Sequence, residues 1–182
     1  RCAESPPSSG IEVYTQFMIE FESIRLNKLP SHLRKMLALF LVTLSCAYLL
    51  GLGYIYYNTG MTYTGISEDF RGSDTRMAFE KPAGEMFQTV HNHMFGLSLT
   101  FLLTGTLFYF SSFPSGLAKL FLLTEPFLSI ILSFGSFWLV RYVSQGWTWL
   151  LLSSGALMAL GFFLQVSQSL YDLIIRPIHG SE

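Results

Sequence analysis

Apolar residues arrive in this chain in four runs of about 20 with almost no charge, at 36–57, 90–111, 117–140 and 147–171. A run of that length matches the roughly 30 Å of hydrocarbon that an α-helix crosses at about 1.5 Å per residue. The runs therefore predict an all-α protein, an integral membrane antiparallel four-helix bundle with both termini cytoplasmic. Composition agrees. Of 182 residues 51% are hydrophobic and 13% charged, against about 25% charged in a soluble domain.

A formal net charge of −1 offers no basic patch for nucleic acid, so charge matters here as topology. With the amino terminus inside, Arg25, Lys28, Arg34, Lys35, Lys119 and Arg176 face the cytoplasm, and Arg71, Arg76, Lys81 and Arg141 face out. The bias is concentrated beside the first span, where it sets orientation most strongly. Cys2 lies in a tail and Cys46 in mid-span, so no disulfide framework follows.

The remaining segments fall in order. Residues 1–10 are Pro/Ser-rich without an apolar core, which reads as a flexible tail and not a signal peptide. Over 11–29, Tyr14, Phe17, Met18, Phe21 and Ile24 recur at three- and four-residue spacing, predicting a cytoplasmic amphipathic helix. Glu20 and Glu22 direct it to a protein partner and away from anionic lipid. Residues 30–182 form the four-span bundle, with an extracytoplasmic loop at 58–86 whose five acids exceed its three bases. That loop reads either as solvated and held by internal ion pairs or, being long for a connector, as a docking surface for a partner.

Chemistry concentrates at the start of the second run, at His91 and His93. Ionisable groups at membrane depth need partners. Helical spacing groups His93 with Gly96, Leu97, Thr100 and Thr104, facing the bundle, while His91 sits about 200° away round a regular helix. A frayed first turn would bring the two together near Glu85. Arg141 ends the third span at about the same depth, so Glu85, His91, His93 and Arg141 form the candidate outer site. His91, His93 and Glu85 are its metal ligands; His91, His93 and Arg141 would hold a cofactor, Arg141 by a haem propionate.

Haem b or copper suits neutral imidazole, and Gly96 would let a flat macrocycle approach the helix. No histidine occurs in the third or fourth run, so a second axial ligand falls to Met94, the other motif histidine or another chain. Glu125 is the one acid deep in a span. It is read either as a functional carboxyl or as a protonated structural acid partnered by Thr104, Gln165 or Gln168. Pro126 frees the carbonyl of Leu122. Ser129, Ser133 and Ser136 continue a small-residue face, and Gly155 with Ala159 gives a close-packing signal on the fourth span.

His91-Asn92-His93-Met94-Phe95-Gly96 resembles the H-x-H-x-x-G opening of a helix in haem- and copper-associated bacterial membrane families. More of the chain, from Gly60 through Arg71-Gly72-Ser73 to Tyr171-Asp172, resembles small four-span inner-membrane proteins of proteobacteria carrying a T-H-x-H motif, with Val90 where Thr is usual. The resemblance implies a multi-pass protein of the bacterial inner membrane.

The function expected is an accessory or scaffold subunit of an energy-converting membrane complex, non-catalytic on its own, with the lipid bilayer and other membrane subunits as partners or a second copy in a homo-oligomer. Two alternatives stand beside it, a b-type haem or copper electron-transfer protein and a quinone-interacting anchor using Glu125. Nothing resembles a hydrolase triad, a phosphate loop or a Rossmann fingerprint.

Overall fold

The computed structural model describes residues 25–74 and 77–176. The tail, His179 and most of the helix expected over 11–29 lie outside the described residues; within 25–29 there is one 3-10 turn, Leu26–Lys28. Five helices follow: α1 Ser31–Thr59, α2 Tyr63–Arg71, α3 Ala83–Tyr109, α4 Leu117–Tyr142 and α5 Thr148–Leu170, which runs on through a π-helical turn, Tyr171–Ile175. Among the described residues the only β pairing is an isolated bridge between Ser73 and Ala78.

Three stretches are long and apolar enough to cross a membrane: Ser31–Thr59, Leu117–Tyr142 and Gln145–Ile175. α3 has 27 residues, enough length for a span, but His91, Asn92, His93 and its four threonines dilute its hydropathy.

α4 and α5 make the closest pair and run antiparallel. Glu125 packs at Gly161, and two turns on, Ser133 Oγ lies 2.7 Å from Ser154 Oγ. α3 runs antiparallel to α4, with Gly105 beside Leu123 and His93 edge-on to Phe134. It runs parallel to α5, with Phe101 edge-on to Phe162 and Thr104 bonded to Gln165. Their shared core is Phe101, Ile130, Phe134, Phe162 and Val166. α1 joins it along one edge, through Leu41 and through Tyr48, whose ring stacks on Phe162 at 4.1 Å.

The segment expected as a solvated loop at 58–86 is instead a folded cap. The Thr62 side chain accepts the Gly65 amide at 3.1 Å and starts α2, as an N-cap residue does. Gly65 lies so close under the Thr59 carbonyl that no Cβ would fit. Ile66 and Phe70 then bury against Met86 of α3 and Val140 of α4. The loop reading missed this because the apolar residues are few and spaced for a single short helix face. An ion pair internal to the segment is present, Lys81 to Asp69 at 2.6 Å.

Candidate functional site

Docking of Met86 explains why α3 begins at Ala83, after Pro82, and not at the histidines. Glu85 falls in the first turn, where the helix dipole favours an acid. His91 is then two turns inside regular helix, which removes the frayed turn that would have let His91 and His93 converge. Both are exposed, as is Glu85. His93 lies on the rim of the α3–α4 contact, edge-on to Phe134 at 6.1 Å between ring centroids, and does not face the interior as the stripe of Gly96, Thr100 and Thr104 suggested.

Arg141 is not at histidine depth. The α3–α4 register sets Phe87 against Trp138 and His93 against Phe134, so Arg141 is level with the first turn of α3. Seven residues separate it from Phe134, about 10 Å of helix. Its guanidinium pairs with Glu80 at 2.6 Å and donates to the Lys81 carbonyl at 3.2 Å. Arg71 donates to the Val140 carbonyl at 2.9 Å, capping the C-terminal end of α4 where a cation is favoured. The four residues expected as one cluster thus divide into an arginine bound to the cap, Glu85 in the first turn of α3, and two exposed histidines further along α3 that point to different sides of it.

A second polar group lies midway along the helices. Pro126 cannot donate to Leu122, and the freed Leu122 carbonyl takes the Gln165 amide at 2.6 Å. The other end of Gln165 accepts from Thr104 at 2.8 Å, so one fully buried side chain ties α5 to α3 and α4. Thr104 and Gln165, expected as partners of Glu125, are occupied with each other. Glu125, 6% exposed, takes the Ser129 hydroxyl instead. The carboxyl fits because Gly161 faces it: a Cβ there would stand 2.9 Å from Oε2. Gly155, the glycine singled out from the sequence, has nothing within 4 Å of such a Cβ.

A third group, at the end opposite the cap, was not anticipated. Asp172, 1% exposed, accepts the Ser112 amide at 2.5 Å and hydroxyl at 2.6 Å. Lys119 and Arg25 donate to the Ser111 carbonyl at 3.4 and 3.1 Å. These contacts fasten the α3–α4 turn to the end of α5. The available signal was an acid placed at the end of an apolar run, near two cations of the same end.

A family model described as a transmembrane helical domain, Aq_1264_TM, matches residues 60–179. The chain belongs to that family. No curated protein and no solved structure matches. The Aq_1264_TM region contains α2 to α5 and every candidate residue above, whereas α1 precedes it. It is thus a multi-pass membrane domain in contact with the lipid bilayer.

Within it, no three His, Cys, Asp or Glu side chains converge on a metal-sized centre among the described residues. A three-donor copper centre is therefore not assembled from His91, His93 and Glu85 in one chain. A haem on His93 would lie on the outer surface of α3, where Gly96 leaves open space, and its second axial ligand would come from a neighbour. Glu125 faces Gly161 and His93 faces Phe134, nine residues apart along α4, so the two do not frame one quinone.

Proposed function

We propose that this protein is an antiparallel four-helix bundle spanning the bacterial inner membrane, with both termini in the cytoplasm and the α2 cap outside. It works as an accessory or scaffold subunit of an energy-converting membrane complex. α3 supports the fourth span: at about 1.5 Å per residue its 27 residues reach about 40 Å, and it keeps register with α5 from Phe101 to Thr104. Arg25, Lys119 and Arg176 at the uncapped end agree with a cytoplasmic location.

One observation carries the subunit reading. His91 and His93 are exposed two to three turns inside a long helix, and His91 has no hydrogen bond or ion pair among the described residues. Bare imidazoles turned to lipid are costly, so the side of α3 that carries His91 is covered in the working assembly by polar groups of another membrane subunit, with His93 on the rim of the α3–α4 contact. The haem reading is the runner-up, favoured by the open space at Gly96 one turn beyond His93.

The test is site-directed photo-crosslinking in native membranes. A benzophenone side chain at Phe95, 72% exposed and one turn beyond His91 on the same side of α3, is compared with one at Leu50, 76% exposed on α1. A discrete protein adduct from position 95, lost in His91→Ala/His93→Ala, is the expected result. An adduct at twice the chain mass makes the partner a second copy. Lipid adducts alone at both positions end the subunit reading. A reduced-minus-oxidised spectrum with metal analysis, run on wild type and His93→Ala, decides the runner-up: a haem band lost in the variant supports it.

A further inference from the structure

Between α4 and α5 a groove of about 320 Å³ opens sideways, walled by Phe121, Leu128, Leu132, Leu150 and Leu157 and floored by Glu125 and Ser129. Phe121, Leu128 and Leu157 are exposed, so its mouth faces the hydrocarbon and not water. The volume is at the lower end for small-molecule sites, roughly 300–1,000 Å³. Such a groove in a membrane is filled from the lipid phase, and the polar floor decides by what.

The hydroxyls in the groove have spent their hydrogens on the protein. Thr124 donates to the Leu120 carbonyl at 3.0 Å, Ser153 to Leu150 at 3.1 Å, Ser154 to Leu150 at 2.7 Å and Ser129 to Glu125. What they present to a ligand is lone pairs. The Glu125 carboxyl adds acceptor capacity in either proton state, and at most one donor. A ketone, ester or ether head would find one donor at best. A hydroxyl head can donate to this floor and also accept from it.

We propose that the α4–α5 groove binds a membrane-soluble amphiphile with a hydroxyl head, aliphatic or phenolic, whose O–H donates to Glu125 and whose chain lies along Leu128, Leu132 and Leu157. The site is separate from His91 and His93 of α3 and does not depend on the subunit reading.

The test uses the full chain in lipid nanodiscs with a diazirine-bearing hexadecanol as probe, and peptide mapping of the label. Label is expected within 121–132 or 150–157. Unlabelled hexadecanol should displace it at roughly tenfold lower concentration than hexadecyl methyl ether, which cannot donate. Stronger displacement by an alkyl hydroquinone than by hexadecanol identifies the head as phenolic, and the reverse as aliphatic. Leu128→Trp, a change on the exposed wall that leaves the Glu125–Ser129 bond in place, should lose the label. Equal displacement by the ether, undiminished labelling of Leu128→Trp, or label spread evenly onto Leu49 and Leu50 of α1 would each overturn the assignment.

Discussion

α1 and α4 are both apolar enough to cross a membrane, yet they sit in the molecule in opposite ways. α1 is the more apolar, and 6% of its best 18-residue window is buried, against 39% for α4. In water that order would be reversed. In a bilayer the surroundings are as apolar as the interior, so hydropathy marks contact with lipid, and close packing is driven by residues that let backbones approach. α4 buries Pro126, Ser129, Ser133 and Ser136. The glycines of α1, Gly51 and Gly53, have nothing within 4 Å of where a Cβ would be.

The sharpest way to break this contrast is to place the same side chain at a glycine of each kind. Gly161→Leu drives atoms into Glu125 and Pro126, whose side chains already stand 2.9 and 3.4 Å from a Cβ. Overpacking of this kind costs about 3 kcal/mol. Gly51→Leu on α1 should cost nothing measurable. Unfolding in a graded series of denaturing detergent, followed by circular dichroism, reads both; equal losses would mean that α1 packs as tightly as α4.

A smaller effect tests the polar tie between helices. Gln165→Leu leaves the Leu122 carbonyl and the Thr104 hydroxyl without their partner. With each membrane hydrogen bond worth about 0.6–1.7 kcal/mol, the loss should be about 2 kcal/mol in the same assay. Ser45→Ala on α1 removes only a bond to its own helix at Leu41 and should leave the midpoint unmoved. A Gln165→Leu protein as stable as wild type would show that the Pro126 break is satisfied some other way.

The three strongest spans were legible because their signal is length and apolarity, properties of a single segment. So was the consequence of Pro126, since a proline removes one donor at a fixed offset and the orphaned carbonyl is named by counting. The partner of Glu125 was not legible. Ser129 is one turn from Glu125 on α4 itself, but whether Thr104 and Gln165 reach the carboxyl depends on the register between helices, and the actual register pairs those two with each other and leaves Ser129 to Glu125. The same limit hid Gly161, which no spacing rule separates from Gly155. At the candidate outer site the relative depth of the residues was not legible, because the start of α3 is set by Met86 docking on Ile66 and Phe70, a contact between distant segments.

The attachment of α1 gives the smallest and most discriminating prediction. α1 precedes the family-matched residues 60–179, and it meets the core through Leu37, Ala38, Leu41, Leu44 and the Tyr48 ring, the last stacked at 4.1 Å on Phe162 and edge-on to Phe163 at 5.8 Å. Aromatic pairs of this geometry add about 0.5–1.5 kcal/mol beyond the area they cover. Tyr48→Ala should therefore lower stability by about 1 kcal/mol. Leu50→Ala, two residues on but 76% exposed to lipid, should lower it by less than about 0.5 kcal/mol. A ratio near one between the two losses would mean that α1 is held by spread apolar contact, as a soluble helix is. A clear excess at Tyr48 would mean that α1, the most apolar of the three candidate spans, is held on the side of Leu41 and Tyr48, and that its remaining faces are free for lipid or for another subunit.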